Sequence, residues 1–554
     1  MTNKEIANEF NLLAQLMELQ DENDYKIRSY ANAYRILRNV DAPLQTMTLA
    51  ELKSIKGVGD AIGGKIQELQ KDGKMRILEE FKAMTPKGIV ALLGIKGLGL
   101  KKIQTLWKEL EIESPGELYY ACNENRLVTL KGFGSKTQDN IKDQLEYYFQ
   151  SLEKYRWASL EQDAEDILLD IEDEIGAENI LPCGQFRRLL PVVDYLEYVI
   201  AEDQIAKLQA TDLLVDWELT ENKIWRARSK EDKVRVQFYP SPKGFMGLTQ
   251  LQTTGNQSFV KDILENIDLK SLKGLTEMAI FEKLEVPYIV PEIRDHHKIY
   301  WKIKNKGLPA LISNSDIKGI LHVHTQYSDG ANKLADMISY VQSNGYQYIG
   351  ITDHSQSAFY ANGLKEERLE EQWKEIDELN KNLSDFKIFK GIESDIKFDG
   401  SLDYEDEVLA KFDFIIASVH SILKMTEEKA TQRIITAVQN PFTTILGHPT
   451  GRLLLSRAGY PLDHKAVIDA CAKYRVAIEI NANPHRLDLD YEWLPYALEQ
   501  GVKIAINPDA HSLQGVHDIR FGVQVARKGL LDAENCINYW SAQDFSIWLK
   551  NKPR

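Results

Sequence analysis

The chain has 554 residues, 43% hydrophobic and 27% charged, with a formal net charge of −15. A single core rarely passes about 250–300 residues, so several domains are expected, and the composition excludes a disordered or low-complexity protein. The negative balance argues against a nucleic-acid partner for the whole chain, yet residues 1–150 hold 21 Lys+Arg and 21 Asp+Glu.

The acidic excess therefore lies downstream, where metal-binding carboxylates would carry it. No apolar run is long enough to span a bilayer, so no membrane partner is expected. Cys122, Cys183, Cys471 and Cys536 are scattered, with no CxxC pair, and the charged N-terminus has no apolar signal core. Both features predict reduced thiols and a cytoplasmic location.

Residues 1–150 are predicted to be helical, with apolar positions at helical spacing in Ile6, Phe10, Leu13, Leu16 and Met17. Three turns share the pattern apolar-Lys-Gly-apolar-Gly: Ile55-Lys56-Gly57-Val58-Gly59, Ile95-Lys96-Gly97-Leu98-Gly99 and Leu130-Lys131-Gly132-Phe133-Gly134. Glycines permit a tight turn, and a helix starting after each would point free N–H groups outward, ready for a phosphate oxygen. The repeat resembles the helix-hairpin-helix motif of DNA repair and replication proteins. That resemblance implies a DNA partner held through its backbone without sequence preference, by Lys56, Gly57, Gly59, Lys65, Lys96, Gly97, Gly99, Lys131, Gly132 and Gly134.

The middle of the chain is mixed α/β. Gly184-Gln185-Phe186-Arg187-Arg188 leads into an apolar strand from Leu196 to Ile200, and Val234–Tyr239 alternates like a half-buried strand. Pro287–Glu292 is an extended Pro-bounded stretch, and the Lys/Gly-rich segment after it reads as a linker.

The last third repeats a strand-then-helix rhythm. Candidate strands are 319–324, 348–354, 386–396, 412–420, 443–448, 476–481 and 502–507, mostly short apolar runs suited to parallel strands buried on both faces. All 11 His follow residue 295, and most lie at the ends of these runs. His322, His324, Asp329, His354, Glu393, His420, His448, Asp509 and His511 would converge on the C-terminal rim of a β/α barrel. A mixed His/Asp/Glu set suits a cluster of divalent metals: manganese first, with zinc and iron admitted by the same donors. Arg452 and Arg486, on neighbouring loops, are candidates for phosphate contact.

These residues follow the pattern of the polymerase and histidinol phosphatase (PHP) domain. The pattern is His322-x-His324 with Asp329, Thr352-Asp353-His354, Glu393, His420, Gly447-His448-Pro449 and Asp509-Ala510-His511. The resemblance implies a distorted seven-stranded barrel with up to three divalent metals. The whole chain resembles a bacterial family X DNA polymerase, with Pro287–Glu292 and Arg294 similar to the end of that family's thumb. Implied domains are a helical DNA-binding domain with the first hairpin (1–85), a fingers-like domain with two hairpins (86–151), a palm and thumb (152–312) and the PHP domain (316–554).

The expected fold class is thus multidomain α+β and α/β. The family's polymerase site needs a GDxD pair and a third Asp, but here Tyr195, Glu197 and Arg235 stand at those positions, so polymerase activity is expected to be lost. A Lys at the position of Lys65 forms a Schiff base with abasic sugars in related polymerases. The expected enzyme is a metal-dependent DNA 3′–5′ exonuclease or 3′-end processing enzyme, with incision at abasic sites within the same chemistry. His322, His324, Glu393 and Arg452 would be its catalytic residues. Two other readings stand beside it: an active polymerase with exonuclease, and a small-molecule phosphoesterase of the histidinol phosphatase type.

Overall fold

The computed structural model describes residues 1–40, 42–95, 97–128, 130–150, 154–231 and 234–552. Lys96 and the expected boundary at 151–152 lie outside the described residues. Two compact units are present: Met1–Asn123 with Leu127–Tyr148, and Glu124–Arg126 with Phe149–Arg554. Among the described residues, no helix is long and apolar enough to cross a membrane.

The first unit is all-helical. Its opening helix, Asn3–Leu19, starts at a capping box in which Thr2 and Glu5 exchange hydrogen bonds. It buries Ile6, Phe10, Leu13, Leu16 and Met17, the stripe read from the sequence. Each Gly-containing turn joins two helices: Leu49–Ser54 to Asp60–Asp72, Lys87–Leu92 to Leu100–Leu110, and Pro115–Asn123 to Ser135–Gln150. The three turns share one geometry. The apolar residue between the glycines is buried (Val58, Leu98, Phe133), and its N–H bonds back to a carbonyl three residues earlier, at 2.9, 3.2 and 3.1 Å. Gly57, Gly97 and Gly132 have φ of +96°, +85° and +89°, a region L-residues rarely adopt.

In the second unit, β1 (Tyr155–Arg156) pairs with β3 (Val192–Val193). The remaining middle strands are β2 (Ile180–Cys183), β4 (Leu196–Ala201), β5 (Leu214–Leu219), β6 (Trp225–Ser229) and β7 (Arg235–Ser241). They form a sheet in the order β2-β4-β7-β6-β5, with β4 and β7 parallel. The segment read as a linker is instead a helix, Ile299–Lys306. Ile299, Tyr300 and Ile303 make an apolar stripe that packs with Phe259 and Phe281, so packing overrides the polar composition.

Seven parallel strands follow: β8 (Gly319–Ile320), β9 (Tyr348–Ile351), β10 (Lys387–Asp395), β11 (Phe414–Ser418), β12 (Ile445–Leu446), β13 (Ala477–Asn481) and β14 (Ile504–Asn507), each paired to the next. A bridge between Val323 and Ala510 brings the first and last strands together, giving the nearly closed seven-stranded barrel that was expected. Most strands are shorter than their apolar runs, because the chain leaves the ladder before the ligand residues. Alternate side chains fill the interior, where Tyr348, Phe389 and Phe414 surround Phe545 of the closing helix Ala542–Lys550, with ring centroids 5.1–6.0 Å apart. That aromatic plug fills one end and leaves the polar residues at the other. The helix Ile519–Lys528 ties the barrel to the middle region: Phe521 meets Trp157, Arg527 pairs with Glu292 at 2.7 Å, and the fully buried Lys528 pairs with Asp295.

Candidate metal centre

The nine candidate ligands come together at the C-terminal ends of the barrel strands. His322 and His324 follow β8, His354 follows β9, Glu393 lies within β10, His420 follows β11, His448 follows β12, and Asp509 and His511 follow β14. Asp329 stands on the turn after His324.

Glu393 is central. Its Oε1 lies 3.0 Å from His448 Nε2, 3.1 Å from His420 Nε2 and 3.4 Å from His322 Nε2. Its Oε2 lies 3.0 Å from His354 Nδ1 and 3.7 Å from His324 Nε2. Asp509 Oδ1 is 3.2 Å from His324 Nε2 and 3.4 Å from His322 Nε2. Asp329 reaches His354 at 3.5 Å and His511 at 3.4 Å. Three overlapping groups therefore offer donor atoms to a common point: His324, Asp329, His354 and His511; His322, His324 and Asp509; and His354, Glu393 and His420.

The fit to metal ions rests on unsatisfied chemistry. His322 Nε2, both ring nitrogens of His324 and of His354, Asp329 Oδ2, Glu393 Oε2 and His511 Nε2 are buried without a hydrogen-bond partner. An unpaired buried polar atom costs about 1–3 kcal/mol, and a single rim that gathers so many is explained when cations take their lone pairs. The electrostatics agree. Burial opposes ionisation of Glu393 and Asp509, but the surrounding imidazoles hold both carboxyls well below their usual range. Burial and the neighbouring His511 and His354 push His324 down to about 3, the neutral ligand form.

Residues outside the nine candidates hold them in place. Glu479, on β13, faces His322 Nδ1 across 2.8 Å and accepts from the N–H of His448 at 3.1 Å. Asp395 engages His420 Nδ1. Asp353 takes five hydrogen bonds, from the N–H and hydroxyl of Thr325 and of Ser328 and from Gln372, and so fixes the turn that carries Asp329. Such supports orient metal-binding imidazoles and carboxylates. Arg452 does not face the cluster: its guanidinium donates to the carbonyls of Arg486 and Leu487 and to Asp490. Arg486 is the arginine beside the ligands, with Nε 3.7 Å from Asp509 Oδ2.

The middle sheet carries different chemistry. Arg235, at the start of β7, lies with its guanidinium carbon 4.0 Å from the Tyr195 ring centroid and donates to that hydroxyl. Glu197 accepts from Gln185 N–H at 2.6 Å and Tyr239 O–H at 2.8 Å, and burial raises its pKa. Gly184 has φ +71° against this carboxylate, where a Cβ would lie 2.0 Å from Glu197 Oε2. Arg187 pairs with Glu277 at 2.6 Å and Arg188 with Asp295 at 3.2 Å, so both arginines of that segment are held by acids.

In the helical unit, Lys56, Gly57, Gly59, Gly97, Gly99, Lys131, Gly132 and Gly134 are exposed at the hairpin tips. Gly59 and Gly99 cap their helices with no side-chain acceptor. Lys65 is half-buried, with Nζ 6.0 Å from the Tyr30 ring centroid.

Comparison with known proteins follows the same division. Residues 1–75 match a helix-hairpin-helix domain, residues 89–146 a SAM-like helix-hairpin-helix tandem and residues 321–483 the PHP domain. The DNA polymerase/3′-5′ exonuclease PolX of Bacillus subtilis (strain 168) is 33% identical over 571 residues, covering 99% of this chain and 100% of the relative. The chain belongs to the PolX family, family X DNA polymerases that end in a PHP domain. The barrel alone is also similar to smaller proteins. A probable phosphatase of Caldicellulosiruptor bescii is 29% identical over 206 residues, covering 34% of this chain and 78% of the relative. The probable phosphatase YcdX of Escherichia coli O81 is 32% identical over 167 residues, covering 29% of this chain and 62% of the relative. The PHP barrel of this PolX-family chain is therefore a phosphoesterase domain.

Proposed function

We propose that the PHP barrel hydrolyses DNA phosphodiesters from the 3′ end, releasing nucleotides, and that the middle domain no longer polymerises. The observation that carries the reading is the buried set of nine donors with orphaned lone pairs, in a chain that also presents three phosphate-ready hairpins. His322, His324, Asp329, His354, Glu393, His420, His448, Asp509 and His511 would hold up to three divalent ions, manganese in the first place. Such ions supply Lewis acidity and lower the pKa of a bound water towards neutrality.

The chain's own groups do the rest. Glu393 spans the cluster, with one oxygen toward His322, His420 and His448 and the other toward His324 and His354. Arg486 stands where its guanidinium can orient a phosphate oxygen beside Asp509. The barrel wall, fully buried behind the ligands, excludes water from the side away from the substrate. The hairpin tips hold the duplex by its backbone, so binding is salt-sensitive and indifferent to sequence.

Charge argues against the polymerase reading. Two-metal nucleotidyl transfer needs converging carboxylates. On this sheet Arg235 and Tyr195 occupy two of the positions, and Glu197 is engaged by Gln185 and Tyr239. The small-phosphoester reading rests on the likeness to the probable phosphatases, which is confined to the barrel and leaves the hairpins without a role.

The test is a 5′-labelled, 3′-recessed duplex incubated with manganese, with and without the four dNTPs, beside the variant His322→Ala/His324→Ala. Shortening that the variant abolishes, with no extension, is expected. Extension by dNTPs would overturn the loss of polymerase activity, and shortening that survives in the variant would move the nuclease out of the barrel.

A further inference from the structure

The loops around the metal centre expose large apolar side chains, which is unusual for a rim built to receive a charged group. Phe359, after β9, is 78% exposed; Phe398, after β10, 48%; Ile422, after β11, 47%; and Leu455, after β12, 37%. Each follows a strand that delivers a ligand. Phe359 is tied to the centre by ring contacts: its centroid lies 5.8 Å from that of Tyr360, which lies 6.3 Å from that of His354.

Two of these side chains, Ile422 and Leu455, are held out by rigid backbone. Ile422 and Leu455 have φ of +54° and +60°, which a β-branched or branched aliphatic residue adopts only when its surroundings impose it. The surroundings here are two arginines. Arg433, 1% exposed, donates to the carbonyls of Ile396 and Lys397 on one loop and of Ser421 and Ile422 on the next. Arg452 clamps the loop after β12 to that after β13, where Leu454 N–H also bonds to His485 O at 2.7 Å. An apolar side chain on a mobile loop would fold inward. Here the strain and the guanidinium clamps keep the side chains in solvent, the arrangement of a preorganised contact surface.

We infer that this rim is a base-stacking subsite that grips the terminal, unpaired bases of the DNA strand whose phosphodiester lies on the cluster. This rests on the exonuclease reading above. The occupant must bring an anionic group to the metals and flat apolar groups to the rim, and a nucleotide strand carries both. Stacking of a base on an aromatic side chain, here Phe359 or Phe398, is worth about 1–3 kcal/mol and tolerates any sequence. The subsite therefore selects single-stranded or frayed 3′ ends over paired ones, because a paired base cannot leave its stack without loss.

The experiment compares kcat/KM on a single strand with ordinary 3′-terminal bases and on the same strand with abasic 3′-terminal residues, using manganese-loaded full-length protein. The wild type is expected to favour the base-bearing strand by about 10-fold or more, and Phe359→Ala/Ile422→Ala is expected to bring the ratio close to unity. A reduced folded fraction lowers both rates and leaves the ratio intact, so the readout is independent of variant stability. Equal wild-type rates, or an unchanged ratio in the variant, would overturn the subsite while the exonuclease stands. Hydrolysis of bis(p-nitrophenyl) phosphate without cleavage of either strand would overturn the exonuclease reading and the subsite together.

Discussion

His322 Nδ1 and Glu479 Oε2 lie 2.8 Å apart, both side chains fully buried, while His322 Nε2 faces Glu393 and Asp509. A carboxylate behind an imidazole sets which nitrogen carries the proton and raises the basicity of the other. Glu479→Gln keeps the volume but weakens that hold. It should reduce metal affinity and activity by about 10–100-fold, and rescue by added manganese should separate a metal-binding defect from misfolding. A metal titration of both proteins, read by calorimetry, checks it.

The orphaned donors give a second expectation. Metal that binds the folded barrel and not the unfolded chain should raise its stability by about 2.7 kcal/mol per site at 100 times Kd. Chelation should lower the melting temperature of the barrel, with the helical unit's transition unmoved. Differential scanning calorimetry with EDTA and with manganese resolves the two.

A third concerns the middle domain. Burial works against ionisation of Glu277, but hydrogen bonds and charge from Arg187 and Arg294 prevail and hold its carboxyl down to about 2. A folded-state pKa below the unfolded value stabilises the protein above the unfolded pKa, and that contribution is lost as pH falls through the folded one. Stability should therefore decline between about pH 4.5 and pH 2. Glu277→Gln, which leaves two arginines without their acid, should cost about 3 kcal/mol at neutral pH. Urea unfolding as a function of pH tests both statements.

The fourth concerns the hairpins. Gly97 has φ +85° with open space around it, so Gly97→Ala meets only backbone strain, about 1–2 kcal/mol. If the turn presents its N–H groups to phosphate, this variant should bind duplex DNA up to about 10-fold more weakly for every sequence alike. Fluorescence anisotropy on two unrelated duplexes over a range of salt concentrations would reveal a sequence-dependent loss, which the account does not allow.

The barrel and the convergence of its candidate ligands were legible because metal chemistry writes itself into residue type: imidazoles and carboxylates ending apolar runs have few structural uses. Glu479 was missed although a charge within Ala477-Ile478-Glu479-Ile480-Asn481 was visible; a buried acid inside an apolar strand needs a partner, and that argument was available. Arg452 was misleading because nearness to His448 in sequence says nothing about where a long side chain points, and its guanidinium turned to the neighbouring loop's carbonyls. The helix Ile299–Lys306 was read as linker because lysines alternate through its second half and Gly307 follows, although Ile299 and Ile303 share a face. The supports of the rim, Arg433 above all, rest on contacts between distant segments, which no local pattern encodes.

The most direct measurement of the central claim is the ratio of kcat/KM for a DNA 3′ end to that for a small phosphomonoester, on the same manganese-loaded protein. Binding energy from the rest of the strand, realised at the reacting phosphate, should favour DNA by about 10³-fold or more, and His324→Ala should abolish both activities. A preference for the monoester would contradict the account and place this chain's barrel with the small phosphatases it resembles.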